Sequence, residues 1–134
     1  MSIPVFRPTL RRRDLNSVLS CLVSDRIGSG PLNHELAGGL AHYLGTAGGV
    51  CLATYSAAIQ LALQCLELAA GDGVIVSALA PSVYLHALAA RGLVALVVDV
   101  DPATGLLAPS EVQRCLAFKP RAVVLHYTLG LLPD

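Results

Sequence analysis

Along residues 14–24 the apolar positions Leu15, Val18, Leu19 and Leu22 recur every three or four residues. That spacing places them on one face of a helix, and Asp14 stands where an N-cap would. Gly28-Ser29-Gly30-Pro31 breaks the period as a loop. A second helical period over 32–44 carries Leu36, Leu40 and Tyr43 and stops at Gly45. After Gly48-Gly49 the reading shortens to a strand, Val50 to Ala53. Ser56 to Leu68 returns to helical spacing through Ala57, Ala58, Leu61, Ala62, Cys65 and Leu68. The turn Gly71-Asp72-Gly73 leads into Val74-Ile75-Val76, a continuous apolar run of the kind found in buried parallel strands. A helix over 82–91, stopped by Gly92, precedes a third strand, Leu93 to Val100. The turn Asp101-Pro102-Ala103-Thr104-Gly105 and a helix from Pro109-Ser110 to about Leu116 precede a fourth, Ala122 to Leu125.

Strands alternating with helices in this way predict an α/β fold: a mostly parallel sheet of about four strands flanked by helices. The expected organisation is a single domain over 1–134, with an N-terminal helical segment at 1–47 and βα units over 48–134. The 134 residues are enough for one core. Composition changes the picture in three respects. Hydrophobic residues make up 54% of the chain and charged residues 13%, which excludes a disordered tail and points to buried faces or an interface. The net charge of zero argues against nucleic acid as a partner, because phosphate backbones demand a basic surplus. A membrane span is not expected either, since Thr54, Ser56, Gln60, Gln64, Glu67, Arg91 and Asp99 interrupt every long apolar stretch. Arg11-Arg12-Arg13 followed by Asp14 is not a secretory leader. The four cysteines, Cys21, Cys51, Cys65 and Cys115, form no C-x-x-C pair, so no metal site is expected. Cys51 and Cys65 read as small core residues, and the expected compartment is a reducing cytoplasm.

In open α/β sheets, ligands bind at the carboxyl ends of strands. Four loops qualify. In Ala53-Thr54-Tyr55-Ser56, two readings stand: Ser56 caps the following helix, or its hydroxyl and the neighbouring N–H groups bind an anion such as phosphate. Ser77 to Ser82 contains Pro81 at a helix start; Tyr84 and His86 follow, and a histidine among apolar helix residues is ordinarily packed. Asp99 and Asp101 stand where a metal or a ribose could bind, or where Asp101 simply begins the Asp-Pro turn. His126-Tyr127-Thr128 follows the last strand. No G-x-S-x-G and no G-x-x-x-x-G-K-[ST] motif occurs. The single lysine, Lys119, falls before the last strand, at the wrong end of the sheet for chemistry.

The order and spacing of several fragments resemble the N-terminal part of the DegT/StrS-type sugar aminotransferases, fold-type-I enzymes that use pyridoxal phosphate. Ile3-Pro4-Val5-Phe6-Arg7-Pro8 is similar to the family's I-P-x-x-R-P start. Gly30-Pro31, Glu35-Leu36 and Ala41-His42-Tyr43-Leu44-Gly45 match its G-P…E-F-E…A-x-Y-L-G stretch. Ser56 to Leu63 resembles T-A-A-L-x-L-A-L, Gly71 to Val76 resembles G-D-E-V-I-V, and Val98 to Gly105 resembles V-D-I-D-P-x-T-G. The resemblance implies pyridoxal phosphate as cofactor, a keto-sugar nucleotide as substrate and glutamate as the usual amino donor. It implies cofactor contacts at Tyr55, Ser56, Ala57, Pro81 and His126, with Ser56 and Ala57 on the phosphate. Tyr55 stands in the Gly place of the family's S-G-T-A loop, Pro81 in the place of its ring-stacking aromatic, and His126 within one residue of the histidine in V-H-x-x-G. The family's catalytic lysine lies beyond position 134, so the resemblance implies a truncated chain, inactive alone, with no catalytic residue among those present. It also implies that Val50–Ala53 lacks its neighbouring strand, and hence a homodimer or a completing polypeptide. Two other readings stand beside it: a non-catalytic remnant serving as a binding module or half of a split enzyme, and an unrelated nucleotide-binding α/β domain.

Overall fold

The computed structural model describes residues 7–25, 27–127 and 130. The opening stretch Ile3-Pro4-Val5-Phe6 and Thr128 lie outside the described residues. The chain divides into two compact units, Met1–Cys51 and Leu52–Asp134.

The first unit holds two helices, α1 (Arg12–Val23) and α2 (Pro31–Leu44). α1 begins two residues earlier than its apolar period suggests. Arg11 is the N-cap, and Asp14 reaches back from inside the first turn to accept the Arg11 N–H at 2.8 Å. A carboxylate in that position satisfies a free amide and complements the positive end of the helix, so it serves without being the cap itself. Pro31 opens α2, and Gly45, at φ +67°, closes it in the left-handed conformation that glycine adopts most easily. Thr46 N then donates to Ala41 O at 2.9 Å. Residues 46–51 run without regular structure, and the Cys51 thiol donates to Asn33 O at 3.3 Å.

The second unit is the α/β part. It comprises α3 (Tyr55–Cys65), β1 (Gly73–Ser77), α4 (Val83–Ala90), β2 (Val94–Val98), α5 (Pro109–Cys115), a 3-10 turn at Leu116–Phe118 and β3 (Ala122–Val124). The three strands are parallel in the order β2-β1-β3. Ile75 sits opposite Leu96 on one side and Val123 on the other. β1 is central, and Val74, Ile75 and Val76 are fully buried, which accounts for its continuous apolar run. Val74 and Val76 share one face and pack with Ile59 and Leu63 of α3, Ala87 and Leu88 of α4, and Leu93. Gly92, at φ +67°, ends the turn after α4; a Cβ there would stand 3.3 Å from that of Ala70.

The sheet therefore has three strands among the described residues where about four were expected. Val50–Ala53 is not a strand: no described segment pairs with it, and an extended stretch without a ladder partner leaves its amides to solvent. Cys65 is exposed instead of packed, because it is the last residue of α3, where Leu66 turns extended. No helix among the described residues is long and apolar enough to cross a membrane.

Candidate functional site

The carboxyl ends of the strands gather the sequence-predicted residues of the second unit. Tyr55 is the first residue of α3, Tyr84 lies in the first turn of α4, and His126 follows β3 by two residues. Their side chains meet. The Tyr55 and Tyr84 hydroxyls share a short hydrogen bond, and their rings pack edge to face with centroids 6.2 Å apart. The Tyr84 hydroxyl also lies 3.4 Å from Nδ1 of His126, whose ring sits edge-on at 5.8 Å. Burial, then the hydrogen bond shared with Tyr55 and the nearness of its oxygen, push the Tyr84 phenol up to about 12. Its hydroxyl therefore keeps its proton throughout the neutral range.

The start of α3 separates two neighbouring hydroxyls. Thr54, not Ser56, is the N-cap: its Oγ1 accepts the Ala57 N–H at 3.1 Å, and its carbonyl accepts Ala58 N at 3.2 Å. Ser56 is the second residue of the helix, where its side chain cannot reach back to cap. Ala57 N, expected to face an anion, is thus already held by Thr54. Among the described residues, the N–H groups of Tyr55 and Ser56 and the Ser56 hydroxyl make no hydrogen bond. They stand at the positive end of an 11-residue helix. Pro81 is exposed at the approach to α4, its carbonyl accepting Tyr84 N at 3.1 Å.

The other candidates resolve into structure. Asp101 Oδ1 accepts the N–H groups of Ala103 at 2.7 Å and Thr104 at 3.2 Å, so it builds the turn. Asp99 folds onto the amide of Val100. His86 is exposed rather than packed, because α4 turns Ala87 and Leu88 inward and leaves His86 on its outer side. Lys119 is exposed before β3, at the amino ends of the strands, opposite the carboxyl ends where the tyrosines lie. Beside Tyr84 an apolar cavity of about 230 Å³ opens between α3, α4 and β3, lined by residues such as Ile59, Leu63, Leu88 and Val124. Tyr84, named beside His86 in the sequence but given no role there, is the residue that joins the site. The available signal was a tyrosine in an otherwise apolar helix at a strand's carboxyl end, since a half-buried phenol needs a hydrogen-bond partner.

The chain's fold is shared with proteins of known structure. The model of the DegT/DnrJ/EryC1/StrS aminotransferase family matches residues 8–134. The chain belongs to that family. Spr1654 of Streptococcus pneumoniae, assigned as a sugar aminotransferase and solved in its PMP form, superposes with a TM-score of 0.89 at 27% identity. That match covers 100% of this chain and 34% of Spr1654, and the PLP form of the same protein superposes equally well. The aminotransferase TlmJ of Streptoalloteichus hindustanus gives a TM-score of 0.81 at 29% identity, over 91% of this chain and 34% of its own. The E. coli GDP-4-keto-6-deoxy-D-mannose-3-dehydratase, solved with hydrated PLP, shares the fold at a TM-score of 0.86 and 22% identity, over 92% of this chain and 33% of its own. The chain thus spans about a third of the length of these structures. Pyridoxal phosphate is the cofactor of the family.

Proposed function

We propose that residues 1–134 form the cofactor-phosphate end of a pyridoxal-phosphate-dependent aminotransferase acting on keto-sugar nucleotides. The observation that supports this reading is the start of α3. Thr54 caps the helix, and Tyr55 N, Ser56 N and Ser56 Oγ are unengaged among the described residues at its positive end, on the side of the sheet where ligands bind. Two amides and a hydroxyl suit a phosphate monoester. Pyridoxal phosphate, when bound, supplies the electron sink for amino-group transfer. The chain's own residues bind the phosphate through Tyr55 and Ser56 and flank the group with Pro81 and His126. Ala57 contributes to the helix dipole, its amide being engaged by Thr54.

These residues bring no lysine to that end, because Lys119, the single lysine, lies at the amino ends of the strands. Residues 1–134 by themselves therefore bind the cofactor without transferring an amino group. Titration with pyridoxal phosphate, followed by visible absorbance and borohydride trapping, tests this. Saturable binding with no trapped adduct is expected. Absence of saturable binding, or amino transfer by the chain alone, sinks the reading.

The first unit favours a second, compatible role in association. Leu15, Val18, Leu19 and Leu22 line one face of α1 and are each between 56% and 59% exposed, although an amphipathic helix normally buries such a stripe. A second copy of the chain or a completing polypeptide covers it in this reading. Sedimentation equilibrium is the test, and a monomer persisting at micromolar concentration with Leu19→Lys unchanged from wild type refutes it.

A further inference from the structure

Tyr84 serves two partners with one hydroxyl. Its oxygen is in contact with the Tyr55 hydroxyl and lies 3.4 Å from Nδ1 of His126. A hydroxyl has a single proton to donate, so the direction of this chain is a chemical choice. A phenol is a stronger acid than a neutral imidazole N–H, and an imidazole nitrogen is a stronger base than a phenol oxygen. The favoured order is therefore Tyr55 O–H to Tyr84 O, and Tyr84 O–H to Nδ1 of His126. The edge-to-face packing of both rings on Tyr84 holds the geometry from two sides. When a neutral imidazole accepts at Nδ1, its proton resides on Nε2. Among the described residues, His126 makes no other side-chain hydrogen bond.

We propose that Tyr84 is a positioning residue, whose hydroxyl fixes His126 in the Nε2–H form and leaves that N–H free to donate to a ligand oxygen at the strand ends. Tyr55 supports it by engaging the second side of the Tyr84 oxygen. The ligand rests on the reading above and is pyridoxal phosphate, but the tautomer itself belongs to the unliganded chain.

Nitrogen-15 spectra of the imidazoles in the unliganded chain test this directly, with His126→Gln assigning the resonances. The expected pattern is a protonated Nε2 and an unprotonated, hydrogen-bonded Nδ1. Tyr84→Phe should move the Nδ1 resonance toward that of a bare imidazole nitrogen, whereas Tyr55→Phe leaves it an acceptor. A proton on Nδ1 in the wild-type chain, or an Nδ1 indifferent to Tyr84→Phe, overturns the proposal. If Tyr84→Phe does not fold, the wild-type tautomer alone decides. A second readout uses pyridoxal phosphate affinity. Tyr84→Phe is expected to weaken binding about tenfold, and that loss should vanish in a His126→Ala background, because Tyr84 acts through the imidazole. An equal loss in both backgrounds assigns Tyr84 a purely structural role and overturns the positioning claim. A wild-type chain that binds no pyridoxal phosphate defeats the cofactor reading instead, and the spectra then decide the role of Tyr84.

Discussion

Thr54 and Ser56 are two hydroxyl residues two positions apart, and the structure gives them separable jobs. Thr54 Oγ1 accepts the Ala57 amide at 3.1 Å, while the Ser56 hydroxyl makes no hydrogen bond among the described residues. Removing a Thr cap costs about 1 kcal/mol, within a range of roughly 0.5–2. The Thr54–Ala57 bond is exposed, so water partly replaces it, and the central figure of about 1 kcal/mol applies. With a urea slope of about 2 kcal/mol per molar, Thr54→Ala should lower the unfolding midpoint by about 0.5 M. Ser56→Ala should leave the midpoint nearly unchanged, since it removes no native bond and places a better helix former inside α3. On pyridoxal phosphate the asymmetry reverses. Ser56→Ala should lose about 1–2 kcal/mol of binding, the scale of one hydrogen bond to a charged group, whereas Thr54→Ala, once corrected for folded fraction, should lose less. Urea melts followed by far-UV circular dichroism, and absorbance titrations on the same preparations, measure both quantities. A stability loss in Ser56→Ala matched by none in Thr54→Ala would make Ser56 the cap and refute the assignment.

Leu88, 1% exposed in the α3–α4–sheet core, should cost about 2–5 kcal/mol when cut to alanine, read from the same melts; a loss under 1 kcal/mol would mean the site collapses freely. Gly92→Ala forces a Cβ into φ +67° and to 3.3 Å from Ala70, so a loss of about 1–2 kcal/mol is expected, and no loss would show that the turn readily reshapes. The pH dependence follows from Tyr84. Its folded pKa lies above the ordinary value of 10, at about 12, so between these values the folded chain holds a proton that the unfolded chain has released. Its contribution to stability is complete below pH 10 and is lost as pH rises through 12. Denaturant midpoints at stepped alkaline pH should show that decline in wild type and a shallower one in Tyr84→Phe; identical slopes would remove Tyr84 as the cause.

Much of the fold was legible because local chemistry and global topology agree. The buried run Val74-Ile75-Val76, the helical period after Ser56, and the stops at Gly45 and Gly92 each express a constraint carried by a few adjacent residues. The family was legible for the same reason, through fragments such as Gly71–Val76 and Val98–Gly105 in a fixed order. Val50–Ala53 was not, because a strand depends on a partner as well as on its own residues, and apolar character alone cannot supply the ladder.

At the site, the sequence determined which residue types arrive at the strand ends: Tyr55, Ser56, Pro81 and His126 each follow or precede a strand or helix boundary that periodicity locates. Tertiary structure decided what each of them does. Capping passed from Ser56 to Thr54 because the helix begins at Tyr55, one residue earlier than its apolar period. The joining of Tyr55 to His126, 71 positions away, through Tyr84 required the parallel order β2-β1-β3 to bring the starts of α3 and α4 and the end of β3 to one end of the sheet. Periodicity reports a residue's own element, whereas a hydrogen bond between side chains on three elements exists only once the sheet has set their distances.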